Sequence, residues 1–171
     1  MKIVAIVLAL SLASMAFAES SPSAGRENRP LKSLSSGEEA ALLNGEGRGL
    51  AKSAELNGYP GPRHVLDLEQ KLELSVDQVK KINSIYQRMH EDATRLGRDL
   101  VDRETALEQM FASQDADSDK LMALSAEIGS LNGRLRATHL LAHLETRAVM
   151  TDAQIQQYKQ LRGYSTSPAA D

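Results

Sequence analysis

The stretch LSVDQVKKINSIYQRMHEDATRLGRDLVDRETALEQM, Leu74 to Met110, decides the fold. Val79, Ile82, Tyr86, Met89, Ala93, Leu96, Leu100, Leu107 and Met110 recur at alternating spacings of three and four, interrupted only by Arg103. That spacing lays them along one stripe of a helix, a coiled-coil seam of roughly four heptads. At 1.5 Å of rise per residue the helix is about 50 Å long. Its start is marked by Leu74-Ser75-Val76-Asp77-Gln78. The Ser75 hydroxyl takes the free N–H three residues on, and Gln78 reaches back to the cap's own N–H. Leu74 serves as the hydrophobic staple that sets how the chain joins the helix.

Downstream, Ala112 to Ser118 is polar and reads as a turn with a new N-cap at its end. The return helix carries Leu121, Leu124, Ile128, Leu131 and Leu135 on the same spacing. After Leu135 the stripe is expected to broaden to Leu140, Leu141 and Leu144. A second capping signal follows, Met150-Thr151-Asp152-Ala153-Gln154, opening a last helix that Gly163 closes. No strand pattern occurs, so the predicted fold is all-α, a long antiparallel helical hairpin. A thin hairpin cannot bury its seam alone, because helices draw most of their stability from tertiary packing. Segments 63–72 and 152–162 are therefore expected to fold back over its open end. A second subunit should cover much of the rest, as an isologous C2 dimer.

Upstream, Met1 to Ala18 has the layout of a secretory signal peptide. Lys2 supplies the positive region, Ile3 to Leu12 the apolar run, and Ala16-Phe17-Ala18 the cleavage site. The apolar run is too short to remain as a membrane span, so the mature chain is expected outside the inner membrane with no stable insertion. Residues 19–49 read as a flexible leader holding one short helix, Gly37 to Leu43, capped by Ser36 and stopped by Asn44-Gly45. Gly45-Glu46-Gly47-Arg48-Gly49 with Lys52-Ser53 lacks the spacing and the preceding strand of a phosphate loop, and reads as a joint. Residues 50–163 form the main domain. It begins with short helices over Leu50–Leu56 and His64–Leu72, split by the rigid turn Tyr59-Pro60-Gly61-Pro62, whose Pro62 suits a first helical position. Residues 164–171 read as a disordered tail.

Composition narrows the function. The chain has 20 Lys+Arg against 23 Asp+Glu, a net charge of −3, and losing Lys2 with the signal peptide makes it one unit more negative. Nucleic-acid binding would need a concentrated basic face. With no cysteine, thiolate chemistry and disulfides are excluded. No nucleophile–base pair or acid–base pair of carboxylates stands out, so the chain does not read as an enzyme.

The residues that draw attention are His139 and His143, four apart on one helix face where two imidazoles can share an ion. His64 follows the proline turn in the segment that folds back beside them, and Asp67 or Glu145 could add an oxygen ligand. The metal would be Zn²⁺ or Ni²⁺; none is required by the fold. A zinc-protease pattern needs Glu directly after the first His, and Leu140 stands there. Against the metal, both histidines also suit the flank of an amphipathic stripe. Met89, Met110, Met122, Met150 and Phe111 suit an adaptable apolar surface, or simple core packing. Arg88, Arg95, Arg98 and Arg103 interleave with Glu91, Asp92, Asp99 and Asp102, the pattern of a solvated ion-pair face.

Two capping signals flanking a long hairpin behind a secretion signal resemble the LTxxQ-motif family of periplasmic proteins. That family includes the Spy/CpxP chaperones and their ZraP/CnrX-like metal-resistance and sensor relatives. The motif positions are Leu74, Ser75 and Gln78, then Met150, Thr151 and Gln154. Ser for Thr in the first and Met for Leu in the second preserve the capping chemistry. Residues 54–66, AELNGYPGPRHVL, also look like a feature of one branch of the family. The resemblance covers about residues 50 to 163 and implies a hooked four-helix hairpin pairing into a curved dimer. It implies a periplasmic, ATP-independent chaperone or envelope-stress adaptor whose partners are unfolded clients or an envelope-stress signalling protein. Alternatively it implies a heavy-metal sensor or resistance protein using the His-x3-His pair. In the sensors, ligands come from the helices preceding each motif. The aligned ligand position here falls at Ala142 or Thr146, neither of which binds metal well.

Overall fold

The computed structural model describes Gly25 and residues 27–164, so the expected signal peptide, the start of the expected leader and the tail beyond Tyr164 lie outside the described residues. The chain forms six helices in order: α1 (Ser36–Leu43), α2 (Lys52–Glu55), α3 (Pro62–Asp67), α4 (Val76–Ala112), α5 (Ser118–Val149) and α6 (Asp152–Leu161). No strand occurs among the described residues. Among them, too, no helix is long and apolar enough to cross a membrane.

The hairpin is α4 packed on α5. The 37 residues of α4 make it about 55 Å long. The short connection from Ala112 to Ser118 makes the pair antiparallel, and ion pairs span it: Arg88 meets Glu145 at 2.6 Å, and Arg103 meets Glu127 at 3.1 Å nearer the turn. Arg103, the break in the predicted seam, thus becomes a rung across the hairpin. The core is divided in two. The middle cluster joins Leu42, Ala93, Leu96, Leu100, Leu131 and Leu135. The cluster at the open end joins Val65, Leu72, Ile82, Met150, Ile155 and Tyr158, so α3, its following turn and α6 do fold back as expected.

Both capping boxes form. Ser75 accepts from the Gln78 N–H and Thr151 from the Gln154 N–H, each at 3.2 Å, while each glutamine carbonyl accepts from its cap's N–H. The two glutamines also bind each other. Gln78 Nε2 donates to Gln154 Oε1 at 2.8 Å, and Gln154 Nε2 donates to Gln78 Oε1 at 3.1 Å. The remaining donor capacity goes to main-chain carbonyls, Val149 from Gln78 and Leu72 from Gln154. One amide pair therefore ties the start of α4, the end of α5 and the start of α6 together.

Three expectations are corrected. The seam of α5 does not broaden after Leu135. It keeps its register through His139, Ala142 and Thr146, all buried, while Leu141 and Leu144 face solvent. At Thr146 the register is accommodated locally: its hydroxyl donates to the Ala142 carbonyl at 2.7 Å. On α4 the seam gains Ile85 and Gly97, also buried. The second correction concerns the leader. Its short helix begins one residue earlier than expected, with Ser35 as N-cap and Glu38 completing a third capping box. Far from trailing loosely, residues 31–47 dock on α4. Leu31, Ala41 and Leu42 are buried, Lys32 Nζ meets Glu108 at 2.5 Å, and the Ser33 hydroxyl donates to Glu104 at 3.0 Å. Third, the helices predicted over 50–56 and 64–72 shrink to α2 and α3. Pro62 opens α3 as its first residue, as expected.

Candidate functional site

The rigid turn before α3 places the sequence-predicted histidines together. Pro60 and Pro62 are fully buried, which seats Gly61 against the middle of α5. A methyl on Gly61 would come within 2.9 Å of His143 Nε2, so glycine is needed for this approach. Next to it the α1–α2 loop descends on α4 and α5. Gly45, with φ of 63°, abuts Thr94, and Gly47 lies on the His139 ring. Between the loop, the turn and the two long helices is a pocket of about 590 Å³. It is lined by His64, His90, His139 and His143, with Glu46, Thr94, Tyr86 and Met89 among its other walls. All four histidines of the chain thus meet in one pocket.

They are held differently. His143 Nδ1 sits 2.7 Å from the Tyr59 carbonyl, which makes it the protonated nitrogen, and 3.7 Å from Glu55. His139, only 4 % exposed, leaves its Nε2 buried with no partner, and the Thr94 hydroxyl is likewise unpartnered. Burial first, and the neighbouring His143 second, hold the His139 imidazole below its usual range. His64 is lowered too, by burial and then by the Arg162 guanidinium. His90, exposed, stacks on Tyr86 with ring centres 5.7 Å apart. Neutral imidazoles are the form that binds metal. Yet no group of three or more His, Asp or Glu stands close enough to share an ion among the described residues.

The oxygen ligands proposed from sequence point elsewhere. Asp67 pairs with Arg63 at 3.2 Å, and Glu145 with Arg88. Glu55, unremarked in the sequence, is the carboxylate beside the histidines. Its Oε1 accepts from the Tyr158 hydroxyl at 2.5 Å and the Tyr164 hydroxyl at 3.2 Å, and its Oε2 from the Gly61 N–H at 3.0 Å. Burial and the Glu55 bond push the Tyr158 phenol far up, so it stays a donor. His90 and Glu55 were missed because nothing in their spacing links them to His139 and His143, which lie 49 or more positions away.

A second feature is a surface. The α5 helix has its seam on one side, and away from it runs an exposed band without charge, Met122, Gly129, Gly133, Ala137 and Leu144, with Leu141 at its edge beside Arg88 and Glu145. Met122 is 70 % exposed, Leu141 55 % and Leu144 51 %. Gly129 and Gly133 face open space. Of the methionines singled out, Met110 and Met150 are core, Met89 is half-buried, and Met122 belongs to this open face, with Phe111 exposed at the hairpin tip. The basic flank behaves as expected around Arg95, which pairs with Asp92 at 2.8 Å. Arg88 and Arg103 are drawn across the hairpin instead.

No family model, curated protein or solved structure matches the chain.

Proposed function

We propose that this is a periplasmic binding protein rather than an enzyme: an ATP-independent chaperone or envelope-stress adaptor that works as a homodimer and shields unfolded segments of other proteins. The observation that carries the reading is the uncharged outer face of α5. A solvent-facing helix side is ordinarily charged, and an exposed apolar patch marks a contact surface. Glycine and alanine on that face let another backbone come close, while Leu141, Leu144 and Met122 offer apolar side chains that repack around irregular partners. The resemblance of the two capping signals to the LTxxQ motif and the secretion signal point the same way. The far half of the seam, where Leu107, Leu121 and Leu124 are only half-buried, is where a second copy would gain most. Light scattering of a reduced, aggregating client tests the reading. The mature protein should suppress aggregation without ATP near one dimer per client, and a Leu141→Glu/Leu144→Glu variant should lose that effect with its stability changed by less than about 0.5 kcal/mol. No suppression at molar excess overturns the reading. Sedimentation equilibrium at micromolar concentration should give a dimer.

The convergence of four histidines favours a second reading, a weak site for Zn²⁺ or Ni²⁺. His139 and His143 would hold the ion, with His64 turned toward them; nothing else in the fold depends on it. Calorimetry at pH 7.5 should detect binding that His139→Ala and His143→Ala each remove and that weakens at pH 5.5, where imidazole is protonated. No heat at micromolar metal returns the histidines to a packing role.

A further inference from the structure

We propose that α1 is a displaceable strap: it occupies a groove on the α4–α5 hairpin that also receives an apolar helical turn of an unfolded client, so client and α1 compete for one seat. The proposal rests on the client-binding reading above and adds a second receiving surface, opposite in kind to the open face of α5 because it is covered at rest.

The seat is shaped for a helix. Leu42 sinks among Ala93, Leu96, Leu100, Leu131 and Leu135 in the middle of the seam. At Gly97 the two backbones meet: a methyl there would overlap the Leu42 carbonyl oxygen outright. Glycine weakens a helix interior, and here its missing side chain is what lets the end of α1 lie on α4. The occupant is defined by what already sits there, a helical turn ending in a small residue and a leucine, Ala41-Leu42.

The strap is hinged, and its outer anchors, Lys32 to Glu108 and Ser33 to Glu104, lie at the surface. Of α1 itself, only Ala41 and Leu42 are buried. The chain leaves it through three left-handed residues, Gly45, Arg48 and Gly49, with φ of 63°, 42° and 80°. Beneath that hinge lie Thr94 and one edge of the His139 ring, residues whose Oγ1 and Nε2 are buried without a partner. A buried polar atom without a partner carries a desolvation penalty. Lifting the strap gives both atoms water, which offsets part of the apolar contact that is lost. Opening is therefore milder than withdrawing a leucine from an ordinary core, and an arriving client helix restores the apolar contact.

Two variants of the full mature chain separate the seat from mere exposure of apolar surface. Leu42→Asp loosens the strap and leaves the seat intact; Gly97→Ala loosens the strap and fills the seat, while favouring the α4 helix itself. Both should become protease-sensitive at residues 44–49. A fluorescent peptide of residues 31–47 should bind Leu42→Asp, with anisotropy at least tenfold more sensitive than for wild type, and should fail on Gly97→Ala. Leu42→Asp should suppress client aggregation at a severalfold lower ratio than wild type, and unlabelled peptide in excess should reverse that gain. Gly97→Ala should show no gain. Leu42→Ala serves where Asp prevents folding, as judged by circular dichroism. Peptide binding without any gain in client suppression over an active wild type overturns the strap while leaving the chaperone reading intact. An equal gain in Gly97→Ala also overturns it, as does a gain in self-association by sedimentation, which would make a second copy the occupant. Wild type and Leu42→Asp both inactive toward client would instead remove the chaperone reading, and the strap with it.

Discussion

At the scale of residues, Gln78 and Gln154 do more than cap. Each amide spends its oxygen on a cap N–H and on the other glutamine, and its nitrogen on a carbonyl of another segment. Gln78→Glu keeps the cap but removes the donor to Val149 and sets a carboxylate against Gln154 Oε1. We expect a loss of about 1–3 kcal/mol, the cost of unmade buried hydrogen bonds, read as a lower urea midpoint. A double-mutant cycle of Gln78→Ala with Gln154→Ala should return a coupling of about 0.5 kcal/mol or more; additive losses would mean the amides act separately. His139 sets a pH dependence. In the unfolded chain it protonates near 6.5, whereas in the fold burial and His143 keep it neutral to lower pH. The unfolded state then binds more protons as pH falls, so stability is full above about pH 6.5 and declines below it. His64 is shifted the same way. Urea midpoints at pH 7.5 and 5.5 should differ in wild type, less in His139→Gln, and least when His64→Gln is added. Of the charged groups near the ring, His143 resists its protonation.

At the scale of elements, Ser75→Ala and Thr151→Ala should each cost about 1 kcal/mol, the usual loss of an N-cap hydroxyl. Urea midpoints unchanged in both would show that the hydroxyls contribute nothing at those helix starts. The helix starts, the hairpin and the fold-back of 63–72 and 152–162 were legible because capping and spacing are local signals. The face of α5 was not. Reading Leu140, Leu141 and Leu144 as more seam assumed that apolar residues turn inward. The helix instead carries apolar residues on two sides, and only the regular step from Leu135 to His139, Ala142 and Thr146 reveals which side is core. The docking of α1 was illegible for a related reason: its grip depends on Gly97, a residue whose contribution is the absence of a side chain. The histidine pocket was half legible. His64, His139 and His143 were placed together from the fold-back, while His90 and Glu55 come in from α4 and α2, and Asp67 and Glu145 turn away to arginines.

At the scale of the whole molecule, the packing is uneven along the hairpin. The open end has the amide pair, the proline turn, α3 and α6; the middle has α1; residues 111–120 at the far tip are all exposed. A single copy is thus a cantilever, clamped at one end and, beyond the Lys32–Glu108 contact, free at the other until a second copy covers it. Thermal bending of such a beam grows toward its tip, and helical hydrogen bonds there have little packing to keep them shut. Amide hydrogen exchange should therefore form a gradient along both long helices, slowest at Ile82 and Thr146 and fastest approaching Met110 and Leu121. Because the tip frays first, whatever grips the molecule there can peel the two helices apart one rung at a time, beginning with Arg103–Glu127, without loosening the clamp.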